Sequence, residues 1–150
     1  MVKLLNLKEL KNLRKKFKNT KIGLCHGAFD IVHLGHLEHF REAKKNVKKL
    51  VVSITTDKFI KKGPNQPYNN ENKRINFLKF IKEIDYLYLD NNLTAENVIS
   101  NLKPDIYFKG KDYLQPDLSQ NLKKEVNILK VNKGKLIFTK SELMSSTKIL

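Results

Sequence analysis

The sequence predicts an α/β domain built on a parallel sheet, and three observations carry that reading. Apolar runs of strand length alternate with segments of helical period along most of the chain. The 150 residues, 40% of them hydrophobic, are enough for one compact core and few for two. No internal repeat, low-complexity tract or proline- or glycine-rich linker breaks the alternation. Strands alternating with helices imply right-handed crossovers and a parallel sheet covered on both faces. The expected architecture is therefore a doubly wound, Rossmann-like, five-stranded parallel sheet forming a single domain over residues 1–150. Such sheets bind ligands at the carboxyl ends of their strands.

Each element follows from its local pattern. Residues 1–20 are rich in lysine and are expected to form an opening helix from about Leu7 to Asn19. The first strand, Ile22 to His26, precedes a helix whose stripe is Leu34, Leu37, Phe40, Ala43 and Val47. The second strand, Leu50 to Ile54, precedes a helix carrying Ile75, Leu78 and Ile81 on one face. A third strand, Tyr86 to Leu89, is followed by the stripe Ala95, Val98, Ile99 and Leu102. The fourth, Asp105 to Phe108, is followed by Leu118, Leu122, Val126 and Leu129, and Lys135 to Phe138 closes the sheet as the fifth.

Composition excludes some classes of function. No stretch approaches the roughly 18 apolar residues of a membrane span, and the lysine-rich start lacks an apolar signal core, so a cytoplasmic protein without membrane contact is expected. Cys25 is the only cysteine, which rules out an intramolecular disulfide and suits a small buried residue better than a nucleophile. The net charge is +15, yet only Arg14, Arg41 and Arg74 among the 30 cations are arginine, and the lysines are spread along the chain. Scarce arginine argues against sequence-specific nucleic-acid recognition while leaving a general attraction for anionic substrates.

The first strand runs into Gly27-Ala28-Phe29-Asp30-Ile-Val-His33-Leu-Gly35-His36, where a helix begins. Gly27 and Gly35 allow close backbone approach to a ligand, and N–H groups at a helix start favour phosphate. Two histidines three residues apart there can aim at one anion and donate to charge developing on phosphorus. On the residues alone two other readings stand beside phosphate chemistry. The histidines could be structural, or His-x-x-His could bind zinc, although no further cysteine or nearby carboxylate pattern completes a tetrahedral site.

The pattern Gly27-x-Phe29-Asp30-x-x-His33-x-Gly35-His36 resembles the signature of the cytidylyltransferase-like nucleotidyltransferases. The resemblance extends through Lys61-Lys62-Gly63-Pro64, Asn70-Glu71-x-x-Arg74, Lys103-Pro104-Asp105-Ile106, Lys109-Gly110-Lys111-Asp112-Tyr113 and Ser145-Ser146-Thr147, and is strongest toward the sugar-phosphate branch. It implies a reaction in which CTP or ATP, its triphosphate bridged by Mg²⁺, gives a nucleoside monophosphate to a phosphorylated small molecule and releases pyrophosphate. In that scheme His33 and His36 stabilise the α-phosphate. Gly27, Ala28, Phe29, Asp30 and Gly35 form the loop and helix start beside the triphosphate, and Lys61 or Lys62 reaches the phosphates. Arg74 holds phosphate oxygens with its forked guanidinium. Gly110, Asp112 and Tyr113 contact the nucleoside, and Ser145, Ser146 and Thr147 meet the β- and γ-phosphates. The segment from Lys140 departs from the family pattern, most of all at Leu143, which stands where the family has glycine. The resemblance also implies a homodimer. A non-catalytic nucleotide-binding or nucleic-acid-associated module on the same fold is the alternative.

Overall fold

The computed structural model describes residues 2–60, 67–111 and 119–140. Among the described residues the sheet has six strands, all parallel, in the order β1-β4-β3-β2-β5-β6. They are β1 Lys3–Leu5, β2 Ile22–Gly27, β3 Lys49–Thr55, β4 Tyr86–Asp90, β5 Ile106–Gly110 and β6 Lys135–Thr139. The helices are α1 Leu7–Lys16, α2 Leu34–Lys45, α3 Glu71–Leu78, α4 Glu96–Leu102 and α5 Gln120–Val131. The sixth strand is β1, a three-residue edge on β4 that precedes the opening helix, which starts at Leu7 as expected and ends at Lys16 rather than Asn19. Only Leu5 of it is buried, so it has neither the length nor the alternation that announces a strand.

Alternate residues of the central strands feed two cores. Cys25, Val52, Leu87 and Phe108 pack with Phe40 and Ala43 of α2 and Ile75 and Leu78 of α3. On the opposite face Leu24, Val51 and Tyr107 pack with α1, α4 and α5 through Leu10, Leu13, Val98, Ile99, Leu122 and Leu129. The expected doubly wound arrangement is therefore present, with helices on both faces. One stripe needs correction: Leu34 is 67% and Leu37 40% exposed, and α2 instead buries Gly35, His39, Phe40 and Ala43.

Two carboxylates lock the amino ends of the sheet. Asp105, expected as the first residue of its strand, lies just outside it and accepts from the Ile22 amide at 2.8 Å and from Arg14 of α1 at 2.9 Å. Asp85 does the same one layer over, accepting from the Leu50 amide at 2.8 Å and pairing with Lys44 of α2. Strand order reverses between β2 and β5: the chain runs outward from β2 through β3 to β4, then returns to β5 on the other side. That reversal opens a crevice at the carboxyl ends of β2 and β5.

Candidate active site

The signature loop leaves β2 at this crevice. Phe29 takes a left-handed backbone, φ 50°, which costs a non-glycine residue free energy and persists only where packing enforces it. Its ring lies tilted on Phe40 at 5.3 Å and edge-on to His36 at 5.7 Å. A Cβ on Gly27 would sit 3.1 Å from this ring, so the glycine makes room for Phe29.

His33 is the N-cap of α2. Its Nδ1 accepts from the Gly35 amide at 3.1 Å, and the Nδ1 of His36 accepts from the His33 amide at 3.2 Å. This reciprocal cap satisfies donors that a helix start would otherwise leave open. It also has a chemical consequence. A ring nitrogen that accepts an N–H carries no proton, so in each neutral ring the proton sits on Nε2, making Nε2 a donor. The two ring centroids lie 4.1 Å apart at the positive end of a helix.

The structure gives Arg74 a different place from the one its resemblance implied. The side chain is buried, and it is not an open fork in the crevice. It donates to the carbonyls of Ala28 and Thr55, both at 2.7 Å, to Asn69 O at 3.1 Å and to Asp57 Oδ1 at 2.7 Å. Four of its five N–H directions are thereby directed to protein oxygens that join the signature loop, the end of β3 and the start of α3. Asp30, also buried, accepts from the amides of Tyr68 and Asn69 at 2.6 and 2.7 Å, and Asn69 Nδ2 donates back to Asp30 O at 2.7 Å. Arg74, Asp30 and Asn69 thus clamp the signature loop to the stretch before α3. A cavity of about 290 Å³ lies beside the clamp, lined by Phe29, Val32, Asn69, Lys73 and Phe77 among others.

Gly110 ends β5 beside the crevice, paired in register with Thr139 of β6. Lys61, Lys62, Asp112, Tyr113, Ser145, Ser146 and Thr147 lie outside the described residues.

The structure gives roles to three groups: Lys109, which the resemblance placed in a motif without a role of its own, and His26 and His39, which on sequence are only secondary candidates flanking the signature. Lys109 is buried, with its ammonium 3.2 Å from His26 O and 5.2 Å above the Tyr107 ring, which places a cation between β2 and β5. The signal was a lysine closing an apolar strand. His39, on α2, is buried against Thr139 at 2.7 Å, while Glu42 accepts from the Lys140 amide at 2.9 Å. α2 therefore holds the point where the chain leaves β6. His26, at the end of β2, lies 2.6 Å from Ser53 Oγ and 4.0 Å from Asp90.

These buried groups make stability depend on pH. Burial pushes His26 from 6.5 down to about 3 and His39 down to about 4, with the nearby charge of Lys109 acting the same way. Burial lifts Asp90 from 3.8 to about 6, helped by Glu125 and opposed by the Asn92 hydrogen bond. Unfolding releases the imidazoles to take up protons below pH 6.5, so their stabilisation is complete above that pH and is lost as pH falls toward 4 and 3. Asp90 works in the opposite sense: between 3.8 and 6 it holds a proton only when folded, so its effect on stability worsens as pH rises. Together the three groups predict a net uptake of about one proton on unfolding between pH 4 and 6, about 1.4 kcal/mol per pH unit. Asp90→Asn should steepen that slope about twofold. Urea unfolding at a series of pH values reads both slopes; a slope unchanged by Asp90→Asn contradicts the assignment.

A doubly wound sheet with a capped histidine pair at its switch point defines a nucleotide-site class of α/β domain. The chain matches the Cytidylyltransferase-like family model over residues 24–150 and belongs to that family. Among curated relatives it is 36% identical to the Bifunctional protein HldE of Campylobacter fetus over 74% of this chain, and 33% identical to that of Campylobacter jejuni over 97%. It spans 24% and 32% of those two proteins' lengths. Among solved structures, the lipopolysaccharide core biosynthesis protein of Thermoplasma volcanium superposes with a TM-score of 0.68 and 26% identity, covering 83% of this chain and 99% of that one. Among the described residues, no helix is long and apolar enough to cross a membrane.

Proposed function

We propose that the domain is a nucleotidyltransferase that moves a nucleoside monophosphate from the magnesium complex of CTP or ATP to a sugar or polyol phosphate, releasing pyrophosphate. A phosphate oxygen of the acceptor attacks the α-phosphorus, the bond to the bridging oxygen of the leaving pyrophosphate breaks, and no covalent enzyme intermediate forms. The observation that carries this reading is the His33–His36 pair, whose shared cap leaves both rings as Nε2–H donors at one helix start. Such donors stabilise the negative charge that grows on the α-phosphate oxygens, and they do so without accepting a proton. Lys109 adds positive charge to the same crevice. Membership of the cytidylyltransferase-like family and the similarity to proteins named HldE support the choice of reaction and of a sugar phosphate. Cytoplasmic location and a homodimeric state belong to the same proposal.

A panel of NTPs and phosphorylated acceptors tests the reading through pyrophosphate release. Release that requires both substrates supports it; NTP binding without release under every pairing returns the chain to the non-catalytic alternative. Base choice should lie elsewhere. The histidines face phosphates common to both nucleotides, whereas Asp112 and Tyr113 follow β5, where base edges would be read. Substitutions at Asp112 or Tyr113 are expected to change the ratio of kcat/KM for CTP and ATP, while His36→Ala depresses both alike. A ratio that changes only in His36→Ala contradicts this division.

A further inference from the structure

α2 carries more than the signature histidines. One turn beyond His36, His39 is only 5% exposed, and its Nδ1 lies 2.7 Å from Oγ1 of Thr139, which is 1% exposed. Thr139 ends β6 opposite Gly110 of β5, and its Oγ1 donates at 3.5 Å to the Lys109 carbonyl. A further turn along α2, Glu42 accepts from the Lys140 amide at 2.9 and 3.0 Å. Two side chains on one face of α2 therefore bond the last residue of β6 and the residue after it.

Packing does not require these bonds. Phe40 and Ala43 already bury α2 against the sheet, and apolar contact has no direction, so it fixes depth better than rotation or slide. Exchanging both members of a buried hydrogen-bonded pair for apolar groups of like shape is nearly neutral for stability. What the hydrogen bond adds is direction. His36 and His39 are three residues apart on one helix, so a rotation or slide of α2 that breaks the bond to Thr139 carries the His36 ring with it. The same hydroxyl reaches the strand that bears the Lys109 ammonium. His39 and Thr139 thus sit where the helix of the histidine pair meets the strand of the buried cation.

We propose that His39 is a positioning residue: through Thr139 it sets the rotation and slide of α2 on β6, and so places the His33 and His36 rings relative to β5 and Lys109. The inference rests on the nucleotidyl-transfer reading. It extends the requirements of the reaction to a buried residue outside the signature. Donors to developing charge act only when correctly placed, and a displacement of about 1 Å can cost about 100-fold in rate.

The test uses two variants of the full chain. Thr139→Val keeps the branched shape and removes the hydroxyl, while Thr139→Ser keeps the hydroxyl. Both are assayed for pyrophosphate release with the NTP and acceptor on which the parent is most active. Thr139→Val is expected to lower kcat about tenfold with KM for both substrates unchanged, the pattern of an interaction realised only in the transition state. Thr139→Ser should turn over like the parent. His39→Leu should lower kcat as Thr139→Val does, and the double variant no further, because the two side chains act through one bond. In the free protein the ring proton signals of His33 and His36 should shift in Thr139→Val and return in Thr139→Ser. A lower Tm in Thr139→Val, with kcat per folded molecule and both ring signals as in the parent, marks a purely structural bond and overturns the proposal. So does a raised KM with unchanged kcat. A parent silent with every pair overturns the transfer reading and this proposal with it, an outcome distinct from an active parent with an indifferent Thr139→Val.

Discussion

Alanine at His33 or His36 is expected to lower turnover by about 100-fold or more, the usual cost of losing a preorganised donor to developing charge. The two variants differ in a way that separates structure from chemistry. His33→Ala also removes the N-cap of α2, which costs about 1 kcal/mol of stability. His33→Asn restores a capping oxygen that can accept from the Gly35 amide but supplies no ring Nε2–H. It should therefore melt close to the parent while remaining as slow as His33→Ala. If His33→Asn recovers turnover together with stability, the ring acts only as a cap. If both alanine variants turn over normally, the histidines leave the mechanism.

Replacing Arg74 by alanine is expected to destabilise the domain by about 3–5 kcal/mol, a loss large enough to unfold many small domains. The buried guanidinium satisfies the carbonyls of Ala28 and Thr55 and pairs with Asp57; removing it strands those acceptors and leaves a cavity. Lysine should rescue little, because a single ammonium cannot reach acceptors spread around a planar fork. Urea unfolding of both variants checks this. A parent-like midpoint combined with a raised KM for NTP would show instead that Arg74 reaches phosphate, as the family resemblance implied.

The difference between those two readings of Arg74 shows where sequence legibility ends. The crevice could be located in advance because its signals are periodic or tightly spaced. A nearly unbroken apolar run from Leu50 to Ile54, buried throughout, reveals a central strand, and His33-x-Gly35-His36 after a strand reveals a helix start with two rings on one side. Arg74 offered only its type and its place at the start of a helix. Whether a guanidinium turns inward depends on Ala28 and Asp57, residues 46 and 17 positions away in the chain. The left-handed Phe29 is equally hidden, because the strain is imposed by packing on Phe40 and His36. His26, Ser53 and Asp90 each read as the polar end of an apolar run; only the register of β2, β3 and β4 makes them neighbours. Edge strand β1 escaped notice because a single buried leucine in three residues carries no period.

The central claim is that the α-phosphate of an NTP passes directly to a phosphate oxygen of a second substrate. Single-turnover reaction of the protein with NTP labelled at the α-phosphate, with and without a phosphorylated sugar or polyol, tests it most directly. The account predicts label in a nucleoside-diphosphate-linked product that forms only when both substrates are present, with none attached to protein, and slower by about 100-fold in His36→Ala. Label on the protein, or release of free nucleoside monophosphate at the same rate without acceptor, would contradict it.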